Sequence, residues 1–549
     1  MIEKKIHYVW FGNAKPEKVL KCIESWKKNL PDYEIIEWNE TNFDVEEELK
    51  KNKFFRECYK RQLWAFVADY VRVKILYNYG GIYLDTDMEI IKDISPLLDT
   101  DMFLGYENEN TMSFGIVGVI PKHKVFEKMY EFYQDEIWKS SLHIITNILT
   151  DILEEEYLNL VKDNTVLDYD TANNMVENVI GTFSLPFSVV PNFVVDNKSY
   201  VVPMVTEEPS VVAACSNAGK IVASSGGFTT TIHDRKMIGH VALYNISDTD
   251  SAEQTILKNK DLLLKTANEA YPSIVQRGGG AKDINIRVLT KDGTTFVVVY
   301  LIVDTLEAMG ANMLNTMLEA LKVSLESLTG GIALMAILSN YATSSLVTSS
   351  CAIPFEKLGE NGKYLAERIE LASKFAQSDV YRAATHNKGI FNGIDSIVIA
   401  SGNDWRAIEA SCQSYAVKDG KYKGLSTWRC DLENSLLIGE LTVPMPVASV
   451  GGSIGINPSV KVARQILNNP DAKTLAGIIT SVGLAQNLAA LKALVGDGIQ
   501  KGHMKLHAKS LAILAGATND NLDLVVDKLR EQKHMNLTIA KQIVSELSN

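Results

Sequence analysis

Tryptophan is spread unevenly along this chain. Trp10, Trp26, Trp38, Trp64 and Trp138, five of the seven, stand at or before position 138, and the remainder of the chain is rich in Ala, Gly, Val and Ser. That change in composition implies differently built cores within one polypeptide. A chain of 549 residues demands as much, because single cores stop growing at roughly 250–300 residues. The join is expected near Val161–Asp168, after the charged helical segment ILTDILEEEYLNLV and before DYDTANNMVENVIG, where polar and turn-forming residues cluster.

In the front part IHYVWFG predicts a short strand, PEKVLKCIESWKKNLP a helix stopped by Pro31, and YEIIEWN a second strand, an alternating α/β order. RQLWAFVADYVRVKILYNYGG predicts a longer helix with Leu63, Phe66, Val67, Tyr70, Val71 and Ile75 on one face and Gly80 as its left-handed cap. GIYLDTDMEII is then expected to be a strand running through the acidic pair Asp85 and Asp87. Behind the join, a strand ends at Val201–Met204 and SVVAACSNAGKIVASSGGF makes a small-residue helix stopped by Gly226 and Gly227. From about Ile232 to Ser339 the pattern is α/β, with strands NIRVLT and TFVVVYLIV and a helix over Ala311–Leu328. An alanine-rich helix around Leu475–Leu494 and a closing helical pair from His503, split by GATNDN, complete the chain.

The formal charge of −12 argues against a nucleic-acid partner, which calls for a basic patch. Cys22, Cys58, Cys215, Cys351, Cys412 and Cys430 are scattered with no CxxC pair, which fits reduced thiols and a cytoplasmic setting better than a disulfide framework. MIEKKIHYVW has no apolar leader core, and the longest apolar run, FVVVYLIV, is far short of a membrane span, so none is expected.

Four short segments carry chemistry. THNKGIFNG sets Lys388 between polar neighbours and glycines, where packing needs no lysine; SGNDWR supplies Asp404, TEEPS supplies Glu208 and GHMKLH supplies His503. Taken singly, HNKG is an ordinary surface turn and EEP the start of a helix. Together they form an acid, a base and an oxyanion stabiliser. His503 and His507 stand four apart, a zinc-compatible spacing, but the MKL between them lacks the glutamate of a zinc protease.

These four motifs, in this order, resemble class II hydroxymethylglutaryl-CoA (HMG-CoA) reductases from about Asp168 to the C-terminus. The resemblance implies interconversion of HMG-CoA with mevalonate and CoA, using two NADH or NADPH, and no metal. It implies that Lys388 holds the oxyanion, Glu208 donates a proton, Asp404 keeps that proton in a shared buried network, and His503 protonates the departing CoA thiolate. Ser210, Arg382, Asn392 and Gln486 fall where the family contacts the hydroxymethylglutaryl group, and Arg382 can grip its carboxylate in bidentate fashion.

No GxGxxG follows a strand. The resemblance instead places the nucleotide at EAMGANMLNTM, through Glu307, Met309, Gly310 and Asn312, with Asn340 in AILSN as a further contact. The family usually has aspartate where Glu307 stands. A carboxylate there disfavours the extra phosphate of NADPH, yet the longer glutamate can swing aside, so both nucleotides stay open. A homodimer is also implied, with active sites at the subunit interface to which ENVIG, Glu177–Gly181, contributes. The helical N-terminal arm that helps the family dimerise is missing here or replaced.

The front, from about Ile6 to Leu153, resembles GT-A glycosyltransferases of the capsular-polysaccharide and mannosyltransferase-like group, on WAFVADYVRVKILYNYGGIYL followed by DTD. That resemblance implies Mg²⁺ or Mn²⁺ held by Asp85 and Asp87 on the diphosphate of a sugar nucleotide. Asp69 and Arg72, three apart on one helical face, would contact the nucleotide sugar. Further acceptor-side and metal-contacting segments of that family have no counterpart before the second part begins, so a truncated site is expected.

The expected architecture is α/β multidomain. Residues 1–160 form a partial GT-A-like segment, 168–231 with 340–496 a large α+β reductase domain, 232–339 an inserted non-Rossmann nucleotide-binding small domain, and 497–549 a helical flap. The leading expectation is a reductase. Two others stand beside it: a bifunctional chain with a working metal-dependent sugar transferase, and a front part that binds without turnover.

Overall fold

The computed structural model describes every residue except 13, 109–110, 141–143, 154–165, 497–507, 510, 519–520, 533–534 and 548–549. It separates into two compact units, Met1–Asn164 and Thr165–Asn549.

In the first unit β1 (Lys5–Val9) pairs in parallel with β2 (Glu34–Trp38) and with β3 (Gly81–Leu84). Parallel neighbours need a crossover, and α1 (Glu17–Asn29) makes it between β1 and β2, burying Val19, Cys22, Ile23 and Trp26. α2 (Trp64–Tyr79) leads into β3, and antiparallel β4 (Met102–Asn108) and β5 (Thr111–Val119) complete a mixed sheet of order β2-β1-β3-β5-β4.

Two expectations for this unit are corrected. α2 has no single apolar face: Leu63 and Phe66 are exposed, whereas Val67, Asp69, Tyr70, Val71, Arg72, Val73, Ile75 and Leu76 are all buried. The helix packs on β1 and β3 on one side and on α3 (Lys124–Gln134) on another, so even its charged residues are enclosed and must pair. β3 also stops at Leu84, before the acidic pair. Asp85 N–H still reaches Gly115 O at 2.9 Å, but its own carbonyl turns to accept from Met88 N–H at 3.0 Å, which puts Asp85 and Asp87 in a turn.

After a short helix, Tyr169–Met175, the second unit forms a hairpin, β6 (Phe187–Val195) and β7 (Lys198–Val205), whose turn residues Asp196 and Asn197 have φ of +49° and +63°, the two positive values a tight hairpin requires. α4 (Val211–Ala223) comes next, then β8 (Thr229–Ile232). β9 (Met237–Tyr244), β10 (Gly280–Lys291), β11 (Thr294–Asp304) and β12 (Ile332–Ser339) form an antiparallel sheet of order β10-β11-β9-β12. α5 (Ala311–Thr329) lies on that sheet and buries Leu314, Met317, Leu318 and Leu321 with Val241, Leu243, Val297 and Leu301. An all-antiparallel sheet is not a dinucleotide-binding parallel fold, in keeping with the absent GxGxxG.

A second sheet, of order β14-β15-β13-β8, is built from β13 (Leu346–Pro354), β14 (Ser426–Asp431) and β15 (Leu436–Pro444) with β8. Against it pack α6 (Gly362–Ser378), α8 (Trp405–Tyr415) and α9 (Ala472–Val495), while α7 (Val380–Ala400) lies on α9 and on β7. By length and composition α9 could cross a membrane, but two-thirds of its most apolar stretch is buried inside the protein, as befits a core helix. Near the C-terminus Leu522–Arg530 and Leu537–Leu547 are helical and share a small core of Leu511, Val525, Leu529 and Ile543.

Candidate active site

Three elements of the second unit converge on a cleft of about 1360 Å³. The approach to α4 brings Glu208 and Ser210, α7 brings Arg382, Lys388 and Asn392, and α9 brings Gln486. THNKGIFNG is therefore the middle of a helix, not a turn, and Lys388 and Asn392 stand one turn apart on it. α7 and α9 cross closely because glycines meet them: a Cβ on Gly393 would lie 3.0 Å from Val482, and one on Gly483 2.9 Å from Ile394.

Lys388 Nζ donates to Glu208 Oε2 at 2.5 Å, and Asn392 Nδ2 donates to Glu208 Oε1 at 3.4 Å. The Lys388 and Glu208 side chains are 60 % and 40 % exposed, so the pair faces the open cleft and is not enclosed as expected. Ser210 takes φ +76°, a left-handed conformation costly for a non-glycine residue and held where it serves a site. Among the described residues nothing accepts a hydrogen bond from the Arg382 guanidinium, whose pKa burial draws below its ordinary value. Gln486 is buried and its Oε1 has no donor among the described residues. A cation and an amide oxygen with no partner among those residues, beside an ammonium–carboxylate pair, form a receptor for a carboxylate-bearing, oxygen-rich substrate.

Beneath the cleft lies a polar network that sequence reasoning did not find. His386 Nε2 and Ser426 Oγ are 2.7 Å apart, Ser426 Oγ donates to Asn487 Oδ1 at 2.8 Å, and Trp428 Nε1 donates to the same oxygen at 2.8 Å. Asn387 donates to Lys423 O at 2.9 Å and accepts from Leu425 N–H at 2.8 Å. The two residues before Lys388 thus fasten α7 to β14 and α9. Their only sequence signal was the oddity of two polar residues, His386 and Asn387, on the buried side of an otherwise apolar helix.

Among the described residues no hydrogen bond or ion pair joins Asp404 to Lys388. Its carboxylate accepts from the N–H groups of Arg406 at 3.0 Å and Ala407 at 3.1 Å, capping α8, and pairs with the Arg406 side chain at 3.3 Å. An N-cap carboxylate is held by the orphan amides of its own helix, which explains the difference. His503, and with it the His503–His507 spacing, lies outside the described residues.

The residues assigned to the nucleotide surround the start of α5. Gly310, with φ +88°, precedes the helix without any side-chain cap, leaving its first N–H groups open to an anion. Met309 packs at the edge of the adjoining core, and Asn312 and Asn340 are exposed. Glu307 Oε2 accepts from Ala472 N–H at 2.8 Å and from the Ser449 hydroxyl, and so is directed at the first turn of α9.

In the first unit Asp69, Arg72 and Asp85 do come together. Arg72 donates to Asp69 Oδ1 at 2.6 Å and to Asp85 Oδ1 at 3.0 Å, and its guanidinium lies 4.8 Å from the Tyr83 ring centre. Burial holds the Asp69 pKa above its usual value despite this partner. Asp87 is exposed in the same turn. No group of three metal-ligating side chains occurs among the described residues, so a cation here would need its remaining oxygens from a ligand.

The family profile described as hydroxymethylglutaryl-coenzyme A reductase matches residues 141–508. A 3-hydroxy-3-methylglutaryl-coenzyme A reductase of Archaeoglobus fulgidus is 44% identical over 381 residues, 69% of this chain and 86% of that protein. A class II reductase of Streptococcus pneumoniae, solved bound to NADPH, is 55% identical, with a TM-score of 0.62 over 73% of this chain and 98% of that one. Residues 16–104 match the profile of the glycosyltransferase sugar-binding region containing a DXD motif. In that part an inositol phosphoceramide mannosyltransferase of Schizosaccharomyces pombe is 32% identical over 124 residues, 22% of this chain and about a third, 34%, of that protein. With a cleft that gathers an ammonium–carboxylate pair, the Arg382 guanidinium and the Gln486 amide, and with likeness of this extent, the chain belongs to the hydroxymethylglutaryl-coenzyme A reductase family, class II, whose members are NAD(P)H-dependent oxidoreductases.

Proposed function

We propose that the second unit interconverts HMG-CoA with mevalonate and CoA, and that the contact between Lys388 and Glu208 is its chemical centre. The 2.5 Å hydrogen bond across the cleft carries this reading, because it sets a cation and a carboxyl group at one point. Arg382 grips the substrate carboxylate, and Ser210, Asn392 and Gln486 orient the rest of the hydroxymethylglutaryl group. Nicotinamide nucleotide held at the open N-terminus of α5 would supply the two hydrides in turn. Addition of the first to the thioester carbon leaves a hemithioacetal oxyanion that Lys388 neutralises; its collapse breaks the C–S bond, releasing CoA thiolate and an aldehyde, and the second addition leaves an alkoxide to which Glu208 hands its proton to make the alcohol. Substrate filling the cleft excludes the water that now reaches both side chains. Asp404 would tune the pair, and His503 would protonate the CoA thiolate.

NADPH is supported by the nucleotide bound to the pneumococcal relative and by Glu307, whose carboxylate is taken up by Ser449 and Ala472 and so leaves space for a ribose phosphate. A homodimer is supported by the exposed apolar stretch beside ENVIG, where Ile180 and Phe183 are almost wholly accessible. A cytoplasmic setting is supported by six cysteines that are all free.

A second activity is favoured by the Asp69–Arg72–Asp85 cluster together with the DXD profile match: metal-dependent binding or transfer of a nucleotide sugar by the first unit. Asp85 and Asp87 would hold the Mg²⁺ or Mn²⁺ ion.

Nucleotide absorbance with HMG-CoA, using NADPH and NADH in turn, tests the division of labour. Lys388→Ala is expected to abolish oxidation and Asp85→Ala to leave it intact, whereas manganese-dependent hydrolysis of a sugar nucleotide should respond only to the second variant. Equal losses of oxidation in both would overturn it.

A further inference from the structure

Two carboxyl groups that the chemistry above does not use lie between the helix of Lys388 and the helix capped by Asp404. Asp395 sits two turns along α7 from Lys388, and its Oδ1 is buried with no hydrogen-bond donor. Glu409 of α8 faces it. Two half-buried carboxylates in contact repel when both are ionised, and one proton held between them supplies the donor that Oδ1 lacks. Outward from this contact, Gln413 Nε2 donates to Glu409 at 3.2 Å and the Tyr422 hydroxyl donates to Gln413 at 2.5 Å, so the pair is the inner end of a chain of hydrogen bonds along α8.

Other elements surround α7, namely β7, α4, α6, α9 and the helix Pro458–Ile466. Among the described residues, the titratable groups presented to Asp395 are the Glu409 carboxyl and, beside it, the Cys412 thiol, which burial keeps protonated. Among the described residues no cation acts on Asp395 to offset a double negative charge.

We propose that one proton shared by Asp395 and Glu409 clamps α8 onto α7 and so fixes Asp404 relative to Lys388, making both carboxyl groups positioning residues of the reductase site. The inference rests on the roles given above to Lys388 and Asp404. Burial first, and Glu409 second, raise the Asp395 pKa to about 8, so the clamp holds at neutral pH and releases in mild alkali. A raised carboxyl pKa contributes stability at low pH that is lost as pH rises through the folded value.

Infrared difference spectra of the full-length protein test this without turnover. As pH rises through about 8, a protonated-carboxyl band is expected to vanish, and it should be missing throughout in Asp395→Asn and in Glu409→Gln. In the same range kcat of the unaltered protein should fall. Each amide variant, in which an N–H replaces the shared proton, should carry that fall to higher pH by about one unit or more, with circular dichroism confirming its fold. A fall that stays in place while the rate drops at every pH marks a merely structural role and overturns the proposal, as does the lack of a titrating carboxyl band. Failure of the reductase reading shows differently, as no nucleotide oxidation with the infrared titration intact.

Discussion

His386 shows how the environment of one side chain holds its neighbour in place. Burial, and then the nearby Arg382 charge, draw its pKa down to about 3, so it stays neutral while bridging Ser426 and Asn487. An unfolded histidine titrates near 6.5. Below that pH the unfolded chain takes up a proton that the native state refuses, so stability falls as pH drops from about 6.5 towards about 3. His7 of the first unit has the same sign, with burial lowering its pKa to about 4 while its Nδ1 accepts from Trp38 Nε1 at 3.0 Å. Urea unfolding over a pH series should therefore show a dependence that is shallower in His386→Gln by up to ~1.4 kcal/mol per pH unit, one proton's worth. Parallel slopes in the two proteins would contradict it. At this scale the sequence was partly readable. Lys388 and Glu208 announced themselves through motifs and Arg382 through the family resemblance, but the partners of His386 lie 40 and 101 positions away and leave no local pattern. Asp404 was read as a member of the proton network, whereas the structure engages it with the amides of its own helix.

The crossing of α7 and α9 shows how elements turn glycine spacing into a site. Gly389, Gly393 and Gly483 all weaken a helix by roughly 1 kcal/mol relative to alanine. Only the last two are needed for contact: a Cβ on Gly393 would stand 3.1 Å from the Cβ of Gln486, while one on Gly389 would meet nothing within 4 Å. Gly389→Ala should then raise stability by about 0.5–1 kcal/mol, and Gly393→Ala should lower it by about 1–2 kcal/mol, because overpacking outweighs the gain in propensity. Thermal unfolding distinguishes these signs. Since Gly389 lines the cleft, its added methyl should also raise KM for HMG-CoA. Helices and strands were legible where one periodicity dominated, as in α5 and in β11, which contains TFVVVYLIV. α2 was misread because it is enclosed on several sides and hides charge as paired charge, a condition set by elements distant in sequence. Sheet order was equally out of reach, since β8 and β13 are neighbours across more than a hundred intervening residues.

Across the whole molecule, each unit carries a core of its own. Trp26 and Ile82 are among the residues packed within the first unit, and Ile394, Leu475 and Val482 are among those packed within the second. Separate cores unfold as separate cooperative units unless something large joins them. Trp26 is fully buried, and its indole N–H donates to Met88 O at 2.7 Å in the segment just after the acidic turn. Truncating it should cost about 3–5 kcal/mol, enough to move the melting of one unit by many degrees. Scanning calorimetry of Trp26→Ala is therefore expected to lower one of two transitions and leave the other where it was, with nucleotide oxidation by the full-length protein unchanged at temperatures between them. A matching experiment places the cavity in the other core: Leu475→Ala should lower the transition that Trp26→Ala spares and take oxidation with it. If either variant shifts both transitions together, the two cores form one cooperative body, and a reductase that works without the first unit's fold would have to be abandoned.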